Sequence, residues 1–462
     1  MHESFEADVH AFWHPFADMS QVAGHDFVLV AGDGAYVTSE EGRRYLDSTA
    51  ALWYCNVGHG RESIGQAVME QMGRIASYSN FGDLTTRPTL ELADRLSALA
   101  PMDDAKVFFT SGGSDAVDTA VKLVRRFWDV QGNPQRTVII TRTRAYHGMH
   151  FAGTALAGIP ANRDGYGNLD MAVANVPWDD AEALASTIDE IGADRVAAFF
   201  CEPIIGAGGV FAPPPGYLER VREICGERGV LFVADEVICG YGRTGKMFAS
   251  EGLDPDLVLT AKGLTSGYQP MGAVLIAGRV AAPFWSSPGV LWRHGYTYSG
   301  HACAAAAGMA NLDIIESEGL VDRVATNQLA LSAALVGLRD HSWVTDVRSG
   351  VGLLAAVTID PQILAADPTT MGRLILAVRE EGVITRALAD GSLQISPPFV
   401  ITREEMQYLG GAIDRALTAL GSTRTQTSSL DEAPLLPELV GEDAEAFASL
   451  DASLRENVPP HH

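Results

Sequence analysis

The 462-residue sequence has few cysteines and no long apolar run, and each absence excludes a class of protein. Its five cysteines are odd in number and far apart, without a Cys-x-x-Cys pair, so neither a disulfide framework nor a zinc knuckle is predicted. The sequence has no stretch of about 18 apolar residues, so a membrane span is not predicted. Its first residues also lack the basic start and apolar run of a signal peptide. We expect a folded protein of the cytoplasm.

Basic residues are also scarce. The chain has 33 Lys and Arg against 58 Asp and Glu, which gives a formal net charge of −25. The field of such a chain repels nucleic acid and anionic membranes, so neither is predicted as a partner. Residues 421–462 contain eight acids and two arginines, and we interpret them as an acidic extension.

What the chain does contain is enough apolar sequence for more than one domain. Hydrophobic residues make up 47% of it, and its length exceeds the ~250–300 residues that one core supports. Short apolar runs bounded by turn residues predict strands at 106–110, 137–141, 197–201, 230–234 and 257–260. A helix is predicted at 114–128, with Ser114 as its N-cap. This alternation indicates an α/β fold with a mainly parallel, doubly wound sheet.

The two ends of the chain predict a smaller α+β domain. Hairpin-like pieces at 27–30, 35–38 and 44–47 are too few to fold alone, and the segment after 300 mixes an Ala-rich helix with short strands. We therefore assign residues 1–60 and 301–420 to the smaller domain, and residues 61–300 to the large one.

Parallel sheets bind ligands at the carboxyl ends of their strands, and polar residues follow the predicted strands there. The run at 110–115 reads Thr-Ser-Gly-Gly-Ser-Asp at a strand-to-helix junction. It fits a phosphate pocket or, equally, a Gly-rich tight turn with an N-cap. It lacks the GxxxxGK[ST] spacing, so a phosphorylated cofactor is favoured over ATP hydrolysis.

Asp235 and Lys262 each follow a predicted strand. Alone they fit an ion pair at the sheet edge or a lysine whose lowered pKa makes it a nucleophile, and Gly263, Gly267 and Gly272 favour the second. The run at 240–245 satisfies GxGxxG, but it neither directly follows a strand nor has an acid about 20 residues on. It is therefore not interpreted as a nicotinamide site.

Six motifs together resemble the class III (subgroup II) aminotransferases, over residues 35–413. They are 110–116 (Thr-Ser-Gly-Gly-Ser-Asp-Ala), 146–148 (Tyr-His-Gly), 202–209 (Glu-Pro-Ile-Ile-Gly-Ala-Gly-Gly), 235–245 (Asp-Glu-Val-Ile-Cys-Gly-Tyr-Gly-Arg-Thr-Gly), 261–267 (Ala-Lys-Gly-Leu-Thr-Ser-Gly) and 294–301 (His-Gly-Tyr-Thr-Tyr-Ser-Gly-His). The resemblance implies fold type I and the cofactor pyridoxal 5'-phosphate. One departure is Gly112, where many relatives have a serine.

The resemblance also implies roles for single residues. Lys262 matches the lysine that forms a Schiff base with the cofactor and moves the α-proton, and Asp235 matches the carboxylate that faces the pyridine nitrogen. The other implied cofactor contacts are Tyr146 and Val237 on the two faces of the ring, Gly113, Ser114 and a partner subunit's Thr297 at the phosphate, and Glu202 near the cofactor hydroxyl. His147 is either a further cofactor contact or a structural histidine.

Within that family the ω-amine:pyruvate transaminases match most closely. Arg386 aligns with their arginine that binds the keto acid carboxylate, and Trp53 and Phe81 resemble their aromatic pocket walls. The implied partners are a small-molecule amine and a keto acid, and the implied assembly is a homodimer with shared active sites. The alternatives are 7,8-diaminopelargonate transaminase, suggested by the Trp-His-Pro-Phe run at 13–16, and an aminomutase or decarboxylase of the same fold.

Overall fold

The computed structural model describes residues 10–423, so the acidic extension after residue 423 lies outside the described residues. Within this part of the chain, none of the helices combines the length and apolar character that a bilayer crossing needs.

Fourteen strands and fourteen α-helices make up the described chain. The strands are β1 Leu29–Asp33, β2 Tyr36–Ser39, β3 Arg44–Asp47, β4 Lys106–Thr110, β5 Val138–Arg142, β6 Val173–Val176, β7 Val196–Cys201, β8 Leu231–Asp235, β9 Leu257–Thr260, β10 Gly272–Ile276, β11 Val344–Val351, β12 Leu354–Ile359, β13 Val383–Ile384 and β14 Ser392–Ile395. The helices are α1 Met19–Val22, α2 Ala50–Trp53, α3 Glu62–Arg74, α4 Arg87–Leu99, α5 Gly113–Val130, α6 Phe151–Leu156, α7 Ala181–Ile191, α8 Tyr217–Arg228, α9 Gly278–Trp285, α10 Ala302–Ser317, α11 Leu320–Leu335, α12 Pro361–Ala366, α13 Thr370–Glu380 and α14 Arg403–Thr423. Short 3₁₀ turns occupy Pro160–Asn162, Lys262–Leu264 and Val336–Asp340.

The largest sheet has seven strands in the order β4-β10-β9-β8-β7-β5-β6. The strand β10 is antiparallel to both of its neighbours, and the other pairs are parallel. All five strands predicted for this sheet are present, and β4 and β9 have the predicted bounds. The α/β fold with a mainly parallel sheet is confirmed, and β6 and β10 complete it.

Helices cover the large sheet, and its strands are therefore apolar without alternation. Every residue of β7 and β8 is buried, up to Asp235 at the end of β8. The helix α5 packs on the sheet through Val117, Val121 and Val124, which recur at helical spacing.

The predicted N-cap of α5 is wrong. The helix begins at Gly113, with Gly112 in the capping position and no side-chain cap. The hydroxyl of Ser114 instead accepts a hydrogen bond from the backbone N–H of Met149, 3.1 Å away. The hydroxyl group of Ser114, which the local sequence pattern assigned to capping the helix, therefore bonds to a residue 35 positions away.

The structure has two smaller sheets. The sheet β1-β2-β3-β13 contains strands from both ends of the chain, whereas the sheet β11-β12-β14 contains strands from the C-terminal part alone. Parallel pairing of Val383 with Leu46 joins β13 to β3. This pairing supports the assignment of both ends to one domain, although the domain boundaries themselves stay a prediction. The hairpin strands β1 and β2 lie one to three residues later than predicted.

The GxGxxG run joins the large sheet to the C-terminal strands. Its Arg243 is fully buried and donates hydrogen bonds to the backbone carbonyls of Leu353 and Pro397 and to the side chain of Asn56. Burial lowers the pKa of this guanidinium to about 9. The run therefore has a structural task in the described chain.

Candidate active site

A cavity of about 340 Å³ lies at the carboxyl ends of the large sheet's parallel strands. It is lined by ten of the twelve site residues expected from the sequence: Trp53, Gly113, Ser114, Tyr146, His147, Glu202, Asp235, Val237, Lys262 and Arg386. The folded chain thus brings together residues from positions 53 to 386.

Lys262 lies two residues after the end of β9 and has a φ of +40° in the first position of a 3₁₀ turn. Non-glycine residues adopt this conformation at a cost, and such strain occurs where the surrounding structure fixes a functional group. Burial lowers the pKa of Lys262 to about 8. A larger fraction of its amine is therefore neutral near neutral pH, which is the form that reacts as a nucleophile.

Asp235, at the end of β8, is held in a buried chain of hydrogen bonds. Its Oδ2 lies 2.7 Å from His147 Nδ1, and its Oδ1 accepts from the backbone N–H of Val237 at 3.1 Å. The other ring nitrogen of His147 lies 3.1 Å from the hydroxyl of Thr141. Since a carboxylate only accepts, the geometry places the imidazole proton on Nδ1. His147 thereby orients Asp235 as well as lining the cavity.

Glu202 connects two loops that border the cavity. Its Oε1 accepts from the backbone N–H of Tyr146 and its Oε2 from that of Gly206, each at 3.0 Å. Burial raises the pKa of this carboxyl group, and the nearby His147 and the two N–H donors oppose that rise. The residue therefore fixes the Tyr146 backbone relative to the segment at 205–211.

Close packing surrounds the N-terminus of α5, where the helix dipole favours an anion. Gly148 has a φ of +85°, and a Cβ there would lie 2.4 Å from Ser114 Oγ. A Cβ on Gly113 would lie 2.9 Å from Val237 Cγ1. These two glycines therefore allow Ser114 and Val237 to pack closely at the helix end, which borders the cavity.

The indole ring of Trp53 lies close to two cations in the cavity. Its ring centroid is 5.4 Å from Lys262 Nζ and 5.0 Å from Arg386 Cζ. Both distances are in the range of cation–π contacts. A molecule that reaches the lysine can therefore also contact the guanidinium across one indole.

The remaining wall is apolar, and much of it was missed by sequence reasoning. It includes Pro15, Leu52, Ile159, Ala207 and Ala389, together with Phe16 from the Trp-His-Pro-Phe run and the polar Asn162. These residues lie outside strand ends and carry no reactive group. A local pattern therefore had no means to select them.

Phe81 and Thr297 do not line the cavity of their own chain. Phe81 is 56% exposed, and Thr297 is also exposed. The side chain of Asn80 donates to the carbonyls of Ser299 and Gly300 at 2.7 and 3.1 Å, which ties the two segments together. The roles of Phe81 as a pocket wall and of Thr297 at the phosphate therefore stay predictions.

Comparison with known proteins gives one consistent family. The family model described as aminotransferase class-III matches residues 19–417. A probable aminotransferase of Mycobacterium tuberculosis is 38% identical over 85% of this chain and 90% of its own length. A putrescine–pyruvate aminotransferase of Pseudomonas aeruginosa is 38% identical over 86% and 91%. The crystal structure of an (S)-enantioselective omega-transaminase from Thermomicrobium roseum superposes with a TM-score of 0.84 at 35% identity, covering 89% of this chain and 96% of that one.

Proposed function

This chain belongs to the class-III aminotransferase family, and we propose that it moves an amino group from a primary amine or an ω-amino acid to a keto acid such as pyruvate. One observation carries the proposal: Lys262 and Arg386 flank the same indole in a largely apolar cavity. The amine provides the chemistry, and the guanidinium recognises a carboxylate.

Enzymes of this family use pyridoxal phosphate, and the residues of the cavity fit it. Gly113 and Ser114 at the start of α5 would hold the phosphate, Tyr146 and Val237 would enclose the ring, and Asp235 would pair with the ring nitrogen. When bound, the cofactor supplies an aldehyde that takes up the amino group and a ring that accepts the electrons released at the substrate carbon.

The residues of the chain have distinct roles in binding, orientation and proton transfer. Lys262 Nζ would attach the cofactor as a nucleophile and then carry the proton at the substrate carbon as a general base. The hydrogen bond from His147 keeps Asp235 oriented. Trp53 presents its indole ring to both the lysine and Arg386.

The cavity also favours one class of amine. Among the described residues that line it, carboxylates occur only at Glu202 and Asp235, and both accept hydrogen bonds from other groups of the chain. A second ammonium group would find no further acid on the part of the wall that the described residues of one chain provide. This arrangement favours an apolar amine, or an ω-amino acid whose carboxylate pairs with Arg386, over a diamine.

Arg386→Ala should raise the KM for pyruvate roughly ten- to hundredfold, because a hydrogen-bonded charge pair contributes about 1.5–3 kcal/mol. The rate with 1-phenylethylamine should change less than about threefold, since this amine carries no carboxylate. Stopped-flow absorbance of the bound cofactor measures the two half-reactions separately.

Arg386→Lys retains the charge without the planar fork and should lie between wild type and Arg386→Ala. Equal losses for pyruvate and the amine would contradict a selective carboxylate role. In the same assay, wild-type protein that reacts with S-adenosylmethionine but not with simple amines would instead indicate a diaminopelargonate transaminase.

We further propose a homodimer whose active sites are shared. The stretch 69–84, which includes Phe81, exposes several other apolar side chains, each at least 41% accessible: Met69, Met72, Ile75, Tyr78 and Leu84. Exposed apolar side chains concentrated in one short stretch are typical of an interface. Burying this stretch against a second copy would take Phe81 and Thr297 to the partner's cavity, where the family's phosphate contact is expected.

A mixing experiment tests this sharing. Thr297→Asp should inactivate the homodimer, because a carboxylate repels the cofactor phosphate, and Lys262→Ala should inactivate it by removing the amine. Mixed dimers of the two variants should regain activity, since the chain with Lys262 receives an intact Thr297 from the other chain. Activity is measured after co-expression with two affinity tags and purification of the mixed species.

If Thr297 acted within its own chain, every site in the mixed dimer would lack one residue and activity would stay absent. Homodimers of each variant, prepared in the same way, give the background. Sedimentation at several concentrations reports the assembly itself.

A further inference from the structure

We propose that Arg348, outside the cavity, is a positioning residue that fixes the hairpin carrying Arg386 and so sets the affinity for the keto acid carboxylate. The inference rests on the proposed function of Arg386. The hairpin spans 386–394: the N–H of Gln394 donates to the carbonyl of Arg386 at 2.9 Å, and that of Leu388 donates to the carbonyl of Ser392 at 2.7 Å. Whatever holds its tip therefore also holds the backbone of Arg386.

Arg348 lies on β11 and uses all five N–H groups of its guanidinium. Nη1 donates to Asp346 and Thr358, Nε to the carbonyl of Gly209 at 2.7 Å, and Nη2 to Ser392 Oγ at 2.8 Å and to the carboxylate of Asp390. The first two acceptors belong to β11 and β12, whereas the last three belong to the 205–211 segment and the hairpin. One planar group therefore joins three parts of the chain.

Two guanidinium groups lie close to the aromatic ring of the 205–211 segment. The ring centroid of Phe211 lies 4.2 Å from Arg348 Cζ and 4.5 Å from Arg144 Cζ. Gly209 has a φ of +131°, and a Cβ there would lie 2.5 Å from the carboxylate of Asp390. Only glycine permits this approach of the segment to the hairpin tip.

The contact between the 205–211 segment and the hairpin extends to the cavity through two small residues. The N–H of Ala389 in the hairpin lies 3.4 Å from the carbonyl of Ala207, and both residues line the cavity. Loosening the arginine therefore changes the width of the apolar wall and the placement of Arg386 together. Arg348 itself does not line the cavity, so it acts through other residues.

The pair of Arg348 and Asp390 is well shielded, with side-chain exposures of 17% and 8%. Shielded ion pairs add little net stability because desolvation offsets their attraction, but their geometry is specific. We therefore expect the pair to matter more for the position of the hairpin than for the stability of the fold.

The test compares Arg348→Lys with Arg339→Lys in the purified holoenzymes. Lysine keeps the charge at 348 but cannot donate to five acceptors in one plane. The apparent KM for pyruvate should rise roughly tenfold or more, because displacing a positioned group by about 1 Å has effects of this size. The limiting rate and the 1-phenylethylamine half-reaction should change less than about threefold.

Arg339 is the matched control because its Nη2 donates to Val347 on the same strand, 2.7 Å away, without contacting the hairpin. Asp390→Asn removes the charge from the other side of the pair and should shift the KM for pyruvate in the same direction. Asp390→Asn also tests the positioning role if Arg348→Lys does not fold.

An unchanged KM for pyruvate in Arg348→Lys, or in Asp390→Asn if that variant alone folds, would overturn the positioning role. So would equal losses in both half-reactions. The parallel result for Arg386→Ala separates the two proposals: if that variant is selectively impaired with pyruvate and Arg348→Lys is not, only the positioning role fails.

Discussion

Lys262→Ala is expected to reduce transamination on the order of 10⁴-fold or more, because the change removes the nucleophile and the general base together. No neighbouring group can replace it. Lys262 is the only lysine among the described residues lining the cavity, and Arg386 keeps its proton at neutral pH. Steady-state turnover with 1-phenylethylamine and pyruvate measures the loss, and absorbance shows whether the cofactor is still attached covalently.

Lys246→Ala provides the matched control, since Lys246 is exposed and does not line the cavity. It should retain wild-type turnover and the absorbance of attached cofactor. Persistence of normal turnover in Lys262→Ala would remove the proposed mechanism. Adding a small primary amine should restore part of the proton transfer in that variant, because the amine can enter the space left by the side chain.

The sequence alone predicted the site residues whose chemical role coincides with a local sequence pattern. Asp235 and Lys262 each stand directly after a buried apolar run, and parallel strands bring such ends to one edge. Glu202, which the resemblance assigns to the site, likewise follows the end of β7. The fold class followed from the alternation of strands and helices that produces these edges.

Other parts of the site depend on contacts between distant segments, which a single sequence does not display. The N-cap of α5 was wrong because Ser114 bonds to Met149 across a loop. The bond between His147 and Asp235 joins residues 88 positions apart, and the sequence left the role of His147 undecided. Phe81 resembles a pocket wall in sequence and lies on the exposed surface of its own chain, so its role depends on a second copy that the sequence does not display.

The acidity of the chain has little bearing on the chemistry of the cavity. Its long-range field is negative, but local burial controls the two groups that matter. Desolvation lowers the pKa of Lys262, and the hydrogen bonds from His147 and Val237 fix the position of Asp235. Removing the negative charge of Asp235 should therefore have a large effect in spite of the many acids elsewhere.

Asp235→Asn is expected to lower the rate of the amine half-reaction roughly 10²- to 10³-fold, the usual effect of deleting one preorganised electrostatic group. Asparagine has nearly the same shape, and its one oxygen can still accept a hydrogen bond from His147, so the cavity should keep its form. The charge that holds the proton on the cofactor's ring nitrogen is lost, together with the acceptor for the N–H of Val237. Single-turnover stopped-flow with 1-phenylethylamine measures the rate constant, and thermal unfolding checks that the fold persists.

The matched control is Asp256→Asn, because Asp256 is equally buried but lies at the opposite ends of the same strands. There it accepts from the N–H of Phe232 at 2.8 Å and pairs with Arg279 at 2.7 Å. This variant should lower the melting temperature and leave the rate constant nearly unchanged. If Asp235→Asn lost only stability, or if both variants slowed the half-reaction equally, the charge of Asp235 would have no part in the chemistry. A selective loss in Asp235→Asn would assign the effect to its position at the carboxyl edge of the sheet.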